Sequence, residues 1–305
     1  MAKHLVSVIM PCYREPTHYF HAAIGSILQQ TYKDIELILL LDDPENRELK
    51  ALGFQYAKED CRVRFFINEK NLKLTATLNK GLQLATGDVI ARLDADDIAL
   101  PTRIEKQLKY VEDYDLISTN FAFINFRGNI IRHRVFPTED SAIKKYLTKI
   151  ADRMYHTTWL GKRSAFDALN GYREIGPFED YDFLLRAVKK NMKLYNLSEE
   201  LTYYRMNVKG ISFNNRARQH LGSEYIREHC ENIETITEAD INAYLETEVG
   251  KKHAEEYMKF ASVKDKINSA NNTIEYIRNL LFYGPYLSIF NYYGRKHLVN
   301  KLLGN

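Results

Sequence analysis

The sequence predicts an α/β protein on a mostly parallel, Rossmann-like sheet with helices on both faces. Three observations predict it. Residues 5–10 and 35–41 are near-continuous apolar runs, amphipathic stretches alternate with them, and polar residues gather where each run ends. Strands of a parallel sheet read as unbroken apolar runs because crossover helices bury both of their faces. Ligands of such sheets sit beyond the carboxyl ends of the strands.

The elements follow in order. Residues 5–10 form a β-branched strand closed by Pro11, and Pro16 opens a helix with Phe20, Ala23, Ile24, Ile27 and Leu28 on one face. Strand 35–41 ends at Asp42-Asp43-Pro44, and a polar helix is predicted over 45–58. A strand over 62–67, a helix over 74–85 and a strand over 88–93 complete the first half, the last delivering Asp94, Asp96 and Asp97. The second half reads as mixed. It holds a helix over 102–114, a strand over 116–125, a Gly128-Asn129 turn into 130–136, and a helix over 141–150. An irregular piece then carries His156 and Trp159, a helix begins at Glu179 and Asp180, and Tyr203, Tyr204 and Arg205 end a strand. From about residue 213 the chain is polar and helical, which predicts a helical C-terminal extension over 213–305.

The totals exclude several classes. In 305 residues, 43 basic and 40 acidic side chains leave a formal charge of +3, so no basic stripe marks a nucleic-acid binder. Cys12, Cys61 and Cys230 are odd in number and far apart, which points to a reducing, cytoplasmic compartment and to neither a disulfide framework nor a thiolate zinc site. The N-terminus runs into a strand without a signal-peptide core, and no run reaches the ~20 apolar residues of a membrane span. Residues 279–294 are uncharged and aromatic-rich, flanked by Arg278, Arg295, Lys296 and Lys301. That pattern suits a peripheral membrane contact through 279–305, packing on the catalytic domain, or a second subunit of an oligomer.

Three carboxylates within four residues repel one another, and a divalent cation is the usual remedy. Mg²⁺ or Mn²⁺ takes oxygen ligands, typically one or two carboxylates plus substrate phosphates. Asp96 is the candidate metal ligand, with Asp94 beside it reaching the metal or a sugar hydroxyl. Asp42 or Asp43 would accept hydrogen bonds from a base or ribose, and Tyr13 would stack on the base. The blander readings are an acidic turn for Asp94–Asp97 and a helix cap for Asp180. Neither a G-x-G-x-x-G fingerprint nor a P-loop is present.

The order and spacing of several segments resemble those of the family 2 glycosyltransferases. They are residues 7–13, 34–43, 71–82, 86–97, Pro101-Thr102-Arg103, Gly171-Tyr172, 179–183 and 203–205. The resemblance implies the GT-A fold over 1–212, with 1–100 as the nucleotide-binding half and 101–212 as the acceptor half. It implies an inverting transfer from a sugar nucleotide, usually a UDP-sugar, to a glycan or lipid-linked hydroxyl, in surface-glycan synthesis at the inner face of the membrane. Asp180 would be the base. Pro11, Tyr13, Glu15, Asp42, Asp43, Asn71, Lys73, Asn79, Arg92, Asp94 and Ala95 would line the donor pocket, and His156 and Glu179 the acceptor side. Lys73 stands where many members have glycine, Leu78 where many have arginine, and Thr157 where close relatives have proline. Arg92, Arg103 or Lys73 would supply the diphosphate contact that an arginine at 78 makes. A sugar-nucleotide nucleotidyltransferase would need a Gly-rich basic loop after Met10, which is missing; a non-catalytic scaffold would not need the set Asp94, Asp96 and Asp180.

Overall fold

Seven consecutive buried residues make β1 (Val6–Cys12), and seven more make β2 (Ile35–Leu41). Each fully buried aliphatic side chain there stabilises the sheet by ~1.5–3 kcal/mol relative to exposure. In the computed structural model, which describes residues 3–150, 154–206 and 216–268, these strands lie in the parallel half of one nine-stranded sheet.

The first half alternates as its periodicity predicts. After β1 come α1 (Thr17–Leu28), β2, α2 (Arg47–Glu59), β3 (Val63–Ile67), α3 (Lys73–Leu84) and β4 (Val89–Arg92). The order β3-β2-β1-β4 is parallel throughout. α1 packs Phe20, Ala23, Ile24 and Ile27 inward, and Asn46 caps α2 by accepting from the Leu49 N–H at 3.1 Å. That cap, a residue later than the expected start, replaces a helix beginning at Glu45.

The second half is mixed. It contains β5 (Ile98–Ala99), α4 (Arg103–Leu108), β6 (Leu116–Ile124), β7 (Ile130–Arg134), α5 (Asp140–Lys149), β8 (Leu160–Lys162), α6 (Arg163–Ala168), α7 (Glu179–Lys189) and β9 (Leu194–Arg205). β8 joins the halves, antiparallel to both β4 and β6, and β9 runs parallel to β6. α4 stops at Leu108 and the chain turns over 109–113, so the helix expected to residue 114 is shorter.

The chain divides into two compact units, 1–208 and 209–305. In the second, helices Arg216–Glu228, Glu238–Glu246 and Glu248–Asn268 follow one another, the middle one closed by a Thr237/Asp240 capping box. Among the described residues no helix is long and apolar enough to cross a membrane. The expected contact surface at 279–305 lies outside the described residues.

Candidate active site

The carboxyl ends of β1, β2 and β4 lie side by side, because the three strands are parallel neighbours in register. After β1, Glu15 folds back so that its Oε2 accepts the Tyr13 N–H at 2.7 Å. Arg14 lies over the Tyr13 ring, 4.7 Å from its centroid, and pairs through Nε with Asp43 Oδ2 at 2.7 Å. Pro11 is buried in the strand itself. Tyr13 and Asp43 thus stand together at one strand edge, joined by a residue whose part the sequence did not single out.

Asp42 has a different place from its neighbour. Its Oδ1 accepts from Asn68 Nδ2 and from the Leu72 N–H, both at 2.7 Å, so it organises the loop between β3 and α3. In that loop Lys73 has φ +67°, the left-handed region that favours glycine. Asn71 supports the turn by accepting the Lys73 N–H at 2.9 Å. The Lys73 side chain is exposed, whereas Arg103 is buried and donates to the Arg92 and Trp159 carbonyls at 2.7 and 3.1 Å. Arg103 therefore cannot supply the diphosphate contact, a correction to that alternative. Burial lowers its pKa to about 9, against the charge of Asp97.

Arg92 is nearly inaccessible and holds Asp94 Oδ1 through Nη2 at 2.6 Å; its Nε and Nη1 are buried without a hydrogen-bond partner among the described residues. The Asp94 N–H donates to Thr157 Oγ1 at 3.0 Å. The threonine that departs from the family's proline thus anchors the aspartate loop. Ala95 is buried, which leaves Asp94 and Asp96 as the flanking acids. The Asp96 carboxyl is pushed up to about 7 by burial, then by the charges of Asp94 and Glu15. Asp97 is fully buried and accepts the Arg205 N–H at 2.7 Å. Arg205 also donates to the Asp96 carbonyl at 2.8 Å, so the end of β9 fixes this loop from behind.

Glu179 and Asp180 begin α7. Asp180 Oδ1 accepts the Tyr181 N–H at 2.7 Å, as an acid in a first helical turn does. Burial raises the Asp180 pKa, Asp94 raises it further, and Arg92 opposes them. Glu179 is pushed up to about 8 by burial and then by Asp180. The charges of Asp94 and Arg92 both act on Asp180.

Asn79 and His156 both hydrogen-bond to Tyr172. The Asn79 amide brackets the Tyr172 backbone, accepting its N–H at 2.9 Å and donating to its carbonyl at 2.8 Å. His156 is a buried ring whose Nε2 shares a hydrogen bond with the Tyr172 hydroxyl at 2.8 Å, and burial, then Arg92, holds it neutral. Both position Tyr172. Asp182 and Arg186 complete this wall: Arg186 donates to Asp182 at 2.7 Å and to the Leu169 and Gly171 carbonyls at 2.6 and 2.9 Å. In the sequence only the Gly171-Tyr172 pair and the 179–183 segment, which holds Asp182, point to this wall; Arg186 has no signal there. A cavity of about 390 Å³ lined by His4, Asp88 and Arg163 opens elsewhere, at the amino ends of β1 and β4.

Comparison with known proteins supplies the class. The model of the glycosyl transferase family 2 matches residues 7–169, and the chain belongs to that family. It is 37% identical over 239 residues to a glycosyltransferase of Methanocaldococcus jannaschii, covering 76% of this chain and 81% of that one. It is 31% identical to the O-antigen biosynthesis glycosyltransferase WbnJ of Escherichia coli, covering 73% and 88%. Among solved structures, the mannosyltransferase PcManGT of Pyrobaculum calidifontis, in complex with GDP-Man and Mn²⁺, aligns with a TM-score of 0.59 at 14% identity, covering 97% and 83%. TarS of S. aureus with UDP-GlcNAc aligns with a TM-score of 0.60 at 15% identity, covering 93% and 80%. The fold is that of the GT-A glycosyltransferases.

The residues fit a divalent cation. After burial, Asp94 and Glu15 raise the proton affinity of Asp96, and Asp94 raises that of Glu15, as carboxylates sharing a site without enough cationic charge do. Among the described residues no three histidine, cysteine or carboxylate side chains close into a cage. A cation here would take one or two protein oxygens and the rest from a phosphate-bearing substrate, the habit of Mg²⁺ and Mn²⁺.

Proposed function

We propose that this chain transfers a hexose or N-acetylhexosamine from a UDP-sugar to a hydroxyl of a glycan or lipid-linked acceptor, with inversion at the anomeric carbon. The observation that supports the reading is the placing of two acid sets at the strand-end side, one after β4 and one at the head of α7. Asp94 and Asp96 lie on the loop after β4, Asp180 at the head of α7, and Asp94 acts on the Asp180 proton. Tyr13 and Asp43 receive the base, and the exposed Lys73 ammonium meets the diphosphate. Asp96, with Asp94, would hold Mn²⁺ or Mg²⁺, which when bound neutralises charge on the departing nucleoside diphosphate. The two carboxylates orient the donor with C1 open on the side of Asp180.

Asp180 takes the proton of the acceptor hydroxyl as its oxygen attacks C1. The C1–O bond forms while the bond from C1 to the diphosphate breaks, and the electron pair leaves with UDP. Its raised proton affinity makes Asp180 a stronger base than a solvated aspartate, while the Tyr181 N–H and then Arg92 favour its ionised form. The names of the relatives support a place in cell-surface polysaccharide synthesis.

The test compares wild type with Asp180→Asn in UDP release from UDP-sugars with Mn²⁺, alongside donor binding. The variant is expected to bind donor normally and to lose ~10²–10⁴-fold in turnover. Binding without turnover in both proteins favours a scaffold, and pyrophosphate exchange favours a nucleotidyltransferase.

A further inference from the structure

The β6–β7 hairpin carries an arrangement outside the site described above. Within ten residues it exposes Phe126, Ile130, Ile131 and Val135, at 66%, 45%, 50% and 78% of their full areas. Single exposed apolar residues are ordinary, but four within ten residues of one hairpin concentrate exposed apolar area there. Among the described residues β7 pairs only with β6, away from the main path of the sheet, and no described strand pairs with its other edge.

The same ten residues carry Arg127, Arg132, His133 and Arg134. His133 is held by Glu200 at 2.8 Å, but among the described residues no carboxylate pairs with the three arginines. Arg132 and Arg134 both lie over the Phe123 ring, at 4.8 and 5.6 Å, and Arg127 lies over Phe126 at 5.2 Å. Stacking leaves the guanidinium edges available to anions. The tip is preorganised. Asn125 Oδ1 accepts the Arg127 and Asn129 N–H groups, Gly128 takes φ +85°, and the Tyr19 hydroxyl donates to the Phe126 carbonyl at 3.0 Å.

We propose that this hairpin docks the protein on an anionic lipid bilayer, with Phe126, Ile130, Ile131 and Val135 entering the interface and Arg127, Arg132 and Arg134 meeting lipid phosphates. Charge selects this occupant over a second copy of the chain, because pairing two such edges would set arginines against arginines. The apolar residues select it over a soluble polyanion. Arg205 connects the hairpin to the reaction centre, donating to the Asn125 carbonyl at 3.1 Å and to the Asp96 carbonyl at 2.8 Å. Docking here sets the aspartate loop at a fixed height above the lipid surface.

The experiment is co-sedimentation of the full chain with vesicles of about three parts phosphatidylcholine to one part phosphatidylglycerol, at low and high salt. Wild type is expected to bind these vesicles, to release in high salt, and to ignore pure phosphatidylcholine. Replacing all three arginines by glutamine is expected to lower partitioning roughly a hundredfold, about fivefold per arginine. Phe126→Ser with Ile131→Ser, at exposed positions, is expected to lower it with no change in melting temperature. Undiminished binding by both variants assigns the contact to another surface and overturns the proposal. So does absence of wild-type binding, or a dimer that Phe126→Ser dissolves.

Discussion

Glu179 and Asp180 are sequence neighbours with different electrostatic surroundings. Glu179 is buried and pushed up to about 8, so at neutral pH it carries a proton. Asp180 is half-buried, has the Tyr181 N–H on its Oδ1, and is opposed less strongly. Glu179→Gln, the isostere of the protonated acid, should keep most of the turnover at pH 7. Asp180→Asn should lose it by ~10²–10⁴-fold. Steady-state UDP release from both variants decides the assignment, and equal losses would mean that Glu179 acts ionised.

At the scale of the element, the sheet was legible because burial on both faces leaves an unmistakable apolar run in β1, β2 and β4. The short pieces were not. β5 has two residues, β8 three and α6 six, too few for any period to show, and their positions are set by partners far along the chain. The acids of the site were legible as strand-end clusters. The positioning residues Asn79, Thr157 and Arg205 were not, because their roles are hydrogen bonds to backbone that only the fold brings near. Asn79 and Gly171 illustrate this. Gly171 has φ +66°, and a Cβ there would lie 2.5 Å from Asn79 Oδ1. Gly171→Ala should cost at least ~1–2 kcal/mol, and less in the background of Asn79→Ala, as a double-mutant cycle by urea unfolding would register. Lys73→Gly tests the opposite case. Relief of the left-handed lysine should stabilise the fold by up to about 1 kcal/mol after the entropy cost of glycine. If the ammonium meets the donor diphosphate, the same variant raises the donor KM, and an unchanged KM would remove Lys73 from the site.

For the whole molecule, the site carries more carboxylate than its own cations balance, and this sets the stability profile. Asp96 and Glu179 have folded pKa values of about 7 and 8, above those of an unfolded chain. Between pH 4 and 8 the folded state therefore binds more protons than the unfolded one, and stability falls as pH rises through that window. Glu36 acts in the opposite sense. Hydrogen bonds from Ser7, Thr86 and Arg64 outweigh burial and hold it at about 2, so its contribution is present above the unfolded pKa and lost toward that value in acid. The metal-free protein should accordingly melt at a lower temperature at pH 8 than at pH 5. Mn²⁺ with UDP should reverse this at pH 8, because only the ionised Asp96 is a ligand, and should do little at pH 5. At a hundred times Kd the gain is ~2.7 kcal/mol, roughly 5–10 °C for a unit of this size. Asp96→Asn should reduce the pH slope to the part that Glu179 supplies, and abolish the Mn²⁺ effect. Thermal melts of both proteins across pH, with and without Mn²⁺ and UDP, make the comparison. A Mn²⁺ shift of equal size at pH 5 and pH 8 would place the cation on other ligands than this loop.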